Sequence, residues 1–212
     1  PDFNDLHVNN KDYIDGNKEA EYLALINRGA VLLSRYPLVP QSANHDCGIA
    51  CLRMVLRGLD VPQAENLLAE AMEASDLGES VWTPDLLRIT AALRASGSTP
   101  LCSNLYPLAL CWITCPPGWD PVICLIDANN TDAARLRSCM HCNCLSLSSP
   151  CCGGGPYQGH YILLCGYLPE ERRLIYRDPM SRISEYKLMS FKEFDRVRTA
   201  YGTDEDLLFV FG

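Results

Sequence analysis

The sequence predicts an α+β fold, because helical periodicities crowd its front half, apolar strand-like runs crowd its back half, and no regular strand–helix–strand alternation joins them. With 212 residues, 48% of them hydrophobic and 21% charged, the chain can bury a core without disulfide support. Residues 1–34 read as an N-terminal arm or short helix, and 35–212 as one domain.

The first element is a short helix within 21–34. The string PLVPQSAN over 37–44 is extended or turning, since Pro40 biases Val39 away from the helical region. A helix follows over 46–59, with Ile49, Leu52, Val55, Leu56 and Leu59 near helical spacing, Asp46 as N-cap and Gly58 near its end. Two more are expected over 62–74 and 84–95, the second with Thr83 as cap and Pro84 in its first turn. Residues 100–121, rich in proline, support no assignment. Strands are expected over 122–126, 161–167, 173–177 and 207–211. A last helix over 190–199 carries the Ser190 and Glu193 spacing of a capping box.

Charge and composition exclude several function classes. A net charge of −8 opposes a phosphate backbone as partner, so no nucleic acid is expected. The run Leu105–Thr114 is about half the ~20 residues needed to cross a bilayer, so no membrane span is expected. The first residues lack the cationic and apolar regions of a secretory signal, which makes a reducing compartment the expectation: the cytoplasm, with the nucleus as a second location. The twelve cysteines are then reduced thiols, catalytic, metal-binding or simply buried.

One of them stands where chemistry favours it. Cys47 opens the predicted helix at 46–59, and free N–H groups at a helix N-terminus favour the thiolate over a thiol of ordinary pKa ~8.5. Gln41, six positions earlier, can donate beside the Cys47 N–H to an oxyanion. His160 precedes an apolar strand and is the candidate base, with Gly159 allowing close approach. Asp178 ends the next strand, where a hairpin would bring it to His160 and fix the tautomer of the ring. His45 is a weaker alternative base. Asp46 opposes the thiolate by its charge, so a cationic partner is needed. The rival reading of these residues is an inert packed thiol, an edge-strand histidine and a turn aspartate.

A second constellation is the Cys-rich loop 139–155. Cys139, Cys142, Cys144, Cys151 and Cys152, with His141, could supply a structural zinc site ahead of His160, CxxC spacing letting two thiolates reach one ion. A loop of free thiols accounts for them equally well.

The strings HDCGIACLRMVL, YQGHYILLCGY, YRDP and AYGTDEDLLFVF resemble the guanylyl cyclase domain-containing family over about 37–96 and 157–212. That family is similar in turn to the C39-like cysteine peptidases. The resemblance implies a papain-like fold whose nucleophile helix packs on an antiparallel sheet, with Gln41, Cys47, His160 and Asp178 at the family's Gln, Cys, His and Asp positions. It implies a cysteine hydrolase acting on an amide or acyl bond, with a peptide or protein substrate and no cofactor required for the thiol chemistry. The family name supplies an alternative, cyclisation of GTP with Mg or Mn, although no phosphate-cradling glycine loop or paired metal carboxylates stand in the sequence. A catalytically silent partner-binding module is the third class.

Overall fold

A period of two in the apolar residues of 122–126 decides the layering. Val122, Cys124 and Ile126 belong to one buried cluster with Phe194 and Val197, whereas Ile123 and Leu125 belong to another with Ile49, Leu52, Val55 and Leu86. A strand so patterned is covered on both faces. The computed structural model describes residues 16–75, 80–95, 102–107, 121–142 and 155–211.

The helices are α1 (Gly16–Asn27), α2 (Cys47–Gly58), α3 (Ala64–Ala74), α4 (Thr83–Ala95), α5 (Asp132–Cys142) and α6 (Phe191–Arg198). The strands are β1 (Val31–Leu32), β2 (Cys102–Pro107), β3 (Val122–Asp127), β4 (Gly159–Leu168), β5 (Arg173–Arg177), β6 (Lys187–Ser190) and β7 (Asp206–Phe211). They form one antiparallel sheet in the order β2-β7-β3-β4-β5-β6, with β1 paired to β4 beside that path. The helices α2, α3 and α4 cover one face and α6 the other. Among the described residues no helix is long and apolar enough to cross a membrane.

α2 sits deepest. Ile49, Leu52, Met54, Val55 and Leu56 are fully or almost fully buried, and each such side chain contributes about 1.5–3 kcal/mol relative to exposure. α1 anchors by Leu25 against Cys165, Leu168 and Ile175.

Several expectations change. The helix expected within 21–34 is instead α1 followed by β1. The change of direction comes from Gly29, at φ +80°, where Gly29 N–H donates to Ile26 O at 2.8 Å and Ala30 N–H to Leu25 O at 3.1 Å, a Schellman stop that frees Val31 and Leu32 to pair with β4. The Cys-rich loop expected over 139–155 is helical through Cys142. Thr131 starts that helix by accepting from Ala134 N–H at 3.2 Å, and Glu193 reaches across to accept from Asp132 N–H at 2.7 Å. Glu193 therefore does not close the capping box, although Ser190 Oγ accepts from Glu193 N–H as expected. β2 lies in the proline-rich stretch for which the sequence supports no assignment, and β6 has no strand signal of its own; they are the two ends of the strand order. Thr83 is the first residue of α4 rather than its cap, and Asp85 Oδ2 takes the Trp82 N–H instead.

The tightest contact beneath α2 is Gly58 against the fully buried Tyr36, where a Cβ on Gly58 would lie 2.2 Å from Cδ1 of the ring. Gly58→Ala is expected to lower stability by about 1–3 kcal/mol despite the better helix propensity of Ala, read as a lower urea midpoint at unchanged slope.

Candidate functional site

The geometry at His160 follows from the β4–β5 register. The last pair at the open end of that hairpin is Leu163 with Arg177. One further rung puts Asp178 opposite Ile162, hence on the face of His160 and diagonally adjacent to it. His160 Nε2 and Asp178 Oδ1 are 2.7 Å apart. Asp178 also accepts from Lys187 Nζ through Oδ2 at 2.8 Å and from Met180 N–H through Oδ1 at 2.9 Å. Burial pushes its carboxyl up, but the bond and charge of His160, then Lys187 and Met180, outweigh burial and hold it well below the usual carboxylate range.

Because β5 pairs no further than Leu163, the start of β4 has an open flank, and α2 points its N-terminus there. Tyr161 N–H donates to Cys47 Sγ at 3.4 Å rather than to a strand. Asp46 occupies the N-cap position but makes no cap bond. Its carboxylate turns back to accept from Ser42 N–H, Ser42 Oγ and Ala43 N–H at 3.0, 2.6 and 3.0 Å, with Arg53 4.0 Å away. The expected cap is thus a loop fastener, and it leaves the first-turn N–H groups of α2 unclaimed by Asp46.

Burial pushes the Cys47 thiol up, yet the hydrogen bond with His160, the N–H of Tyr161, the charge of His160 and the N–H of Gly48 together hold it below its ordinary value. His160 moves the other way: burial lowers it, while bonds to Asp178 and Cys47 and their charges raise it to about 9. With Nε2 on Asp178, Nδ1 is the ring nitrogen left for the sulfur. Cys51 and Cys124 are pushed up by burial, and Cys165 to about 12 for the same reason. Among these four described thiols, Cys47 alone is biased toward thiolate.

Gln41 is buried beside the same loop, its N–H donating to Pro179 O at 2.8 Å. Its Nε2 donates to Ala43 O at 2.8 Å, which leaves the second amide hydrogen for any oxyanion, and its Oε1 is buried without a protein partner. His45 is exposed on the preceding loop, whereas His160 is buried and is among the groups that lower the Cys47 thiol. Of the zinc candidates, Cys139 and Cys142 lie in the last turn of α5, whereas Cys144, Cys151 and Cys152 lie outside the described residues. Among the described residues no group of three or more His, Cys, Asp or Glu is arranged to hold a metal ion.

A cleft of about 200 Å³ opens beside Cys47, walled by Val81, Trp82, Leu125, Tyr157 and Tyr161. Tyr161 is fixed in it by a hydrogen bond of 2.8 Å between its hydroxyl and Thr83 Oγ1. Sequence reasoning missed Lys187, Tyr161, Trp82 and Tyr157. Lys187 has no motif around it, and Tyr161 acts through its backbone, which no side-chain pattern encodes.

Known proteins share this architecture. A protein from Bacillus anthracis assigned to the C39-like peptidases superposes with a TM-score of 0.51 at 14% identity, covering 86% of this chain and 98% of its own. The peptidase domain of ComA from Streptococcus mutans superposes at 0.45 with 17% identity, covering 84% and 100%. With the likeness to the Bacillus anthracis protein, the antiparallel sheet and its covering helices make the fold α+β and papain-like. In sequence the chain is 25% identical to guanylyl cyclase 1 of Arabidopsis thaliana, over 82% of this chain and 74% of that one. A family model described as guanylylate cyclase matches residues 36–97 and 118–210, well over half of the chain, and the protein belongs to that family.

Proposed function

We propose that the chain is a cysteine-dependent enzyme that cleaves or transfers an acyl group from an amide of a peptide or protein substrate. The observation that carries this reading is the His160–Asp178 pair at 2.7 Å beside a Cys47 sulfur that accepts from the Tyr161 N–H, with the sulfur drawn toward thiolate and the imidazole toward imidazolium. The Cys47 thiolate attacks the carbonyl carbon, and the carbonyl oxygen takes the charge, facing the Cys47 N–H and the free amide hydrogen of Gln41. His160 gives its proton to the leaving nitrogen as the C–N bond breaks, leaving a thioester on Cys47. Water or another nucleophile then loses a proton to His160 and displaces the sulfur. Asp178 holds the ring throughout, itself steadied by Lys187. No cofactor takes part in these steps, and the cytoplasm suits a site that needs a reduced thiol.

The second reading, formation of cyclic GMP from GTP with Mg or Mn, is favoured by the family match and the named relative. The cleft beside Cys47 supports it less, since about 200 Å³ is below the ~300–1,000 Å³ of pockets that enclose small molecules.

Low-dose iodoacetamide labelling from pH 5 to 10, mapped by mass spectrometry, tests the first reading. Cys47 is expected to label before the other thiols, with an apparent pKa below ~8.5. As pH falls through that value the sulfur gains a proton and labelling stops. As pH rises through about 9, His160 loses its proton, so labelling persists while acyl turnover declines for want of a general acid. His160→Ala should move the apparent pKa up by about one unit or more, a roughly tenfold loss of labelling at neutral pH. Labelling of Cys47 no faster than of Cys51 sinks the reading.

Lys187→Met leaves the charge of Asp178 to His160 alone. The alkaline limb of turnover should move up by a few tenths of a unit to one unit, with the half-exposed position of the lysine limiting the effect, and Lys187→Arg should restore it. Cyclic GMP production with Mg or Mn that survives Cys47→Ala would establish the second reading instead.

A further inference from the structure

We propose that the cleft between Trp82 and Tyr157 receives one neutral apolar side chain, aromatic or branched aliphatic, from the acyl part of the substrate, and that Tyr157, seated on Gly202, sets the size admitted. This rests on Cys47 being the nucleophile. Cys47 is itself part of the cleft lining, so a group bound there lies next to the attacked carbonyl. His160, which protonates the leaving nitrogen, is absent from the lining residues described for the cleft. The leaving group therefore departs on the other side, and the cleft falls to the acyl group.

The chemistry of the lining selects the occupant. Val81, Leu125 and the ring of Tyr161 are apolar, and Leu125 and Tyr161 are buried beneath the opening. Trp82 and Tyr157 are 51% and 37% exposed, large aromatic surfaces of the kind that gain most when a partner covers them. Asn44, His45 and Ser80 form a polar edge, and no carboxylate is among the lining residues described. Among the described residues the carboxylates that act on the wall tyrosines, Asp127 and Asp204, stand outside the lining, so a cationic side chain finds no direct partner in the lining described. At about 200 Å³ the space suits a side chain rather than a whole small-molecule ligand.

Tyr157 is held by two glycines. A Cβ on Gly202 would lie 2.9–3.0 Å from its Cγ, Cδ1 and Cδ2, and one on Gly159 would lie 2.7 Å from its hydroxyl. Gly202 also has φ +103°, which a residue with a Cβ adopts only under strain. The string Ala200-Tyr201-Gly202-Thr203, which the catalytic groups leave without a task, thereby acquires one: it is the seat of the cleft wall.

The test uses N-acetyl chloromethyl ketones of Gly, Leu, Phe and Lys, in which the thiolate displaces chloride and forms a C–S bond. The readout is the second-order rate of Cys47 modification divided by the iodoacetamide rate of the same variant, which removes any change in thiolate content. Leu and Phe are expected to exceed Gly by roughly tenfold or more, and Lys to match Gly. Trp82→Ala should reduce the Phe to Gly ratio several-fold, and Gly202→Ala should do so by shifting the ring of Tyr157. Tyr157→Ala, which makes no demand on the turn, should widen acceptance and serves where Gly202→Ala does not fold. A fast iodoacetamide reaction with equal rates for all four ketones overturns the subsite and leaves the nucleophile standing, as does a preference for Lys or a ratio unmoved in Trp82→Ala and Tyr157→Ala. A slow iodoacetamide reaction removes the nucleophile and the subsite together.

Discussion

A sulfur atom that is mostly buried ionises only when donors and positive charge around it outweigh its desolvation, and the local architecture is arranged around that balance. The donors come from three separate parts of the chain: the first turn of α2, the backbone of Tyr161 and the ring of His160. The early departure of β5 from β4 makes room for the helix end, and the same departure carries Asp178 to the imidazole. Had β5 continued for two more rungs, the Tyr161 N–H would have a strand partner and the sulfur would lack a donor. Asp46, the nearest negative charge in sequence, is drawn away by Ser42, Ala43 and Arg53.

The acidic partner is balanced in its turn. Asp178 stands between the imidazole and Lys187, so the carboxylate is shared between two cations. Sharing keeps it ionised when buried, and it also limits how far His160 is raised. The ring is raised to about 9, so at neutral pH it carries its proton.

Elements with strong periodicity were legible in the sequence. The helix beginning at Cys47 and the strands at 122–127, 159–168, 173–177 and 206–211 emerged near their expected bounds, as did α3, α4 and α6. What escaped was decided by single backbone or tertiary events: the Schellman stop at Gly29, the Thr131 start of α5 and the edge strands β2 and β6. For the site, residue type and order brought out Cys47, His160 and Asp178; His160 Nε2 lies 2.7 Å from Asp178 Oδ1, and the neighbouring Tyr161 N–H donates to Cys47 Sγ. Gln41 is buried with its N–H on Pro179 O and half its amide already engaged by Ala43 O. Lys187, the backbone of Tyr161 and the walls of the cleft depend on register and packing, which residue order does not reveal. The fold likeness to C39-like peptidases and the family name point to different chemistries, and a fold by itself selects neither.

The order in which the chain is made bears on its thiol. β7 runs between β2 and β3, so the middle of the sheet is completed by residues near the end of the described chain, and Cys47 meets Tyr161 across 114 positions. Contacts of such high sequence separation form late and slowly. The donors that hold the Cys47 thiol below its ordinary value therefore come together only once the two halves of the chain have packed.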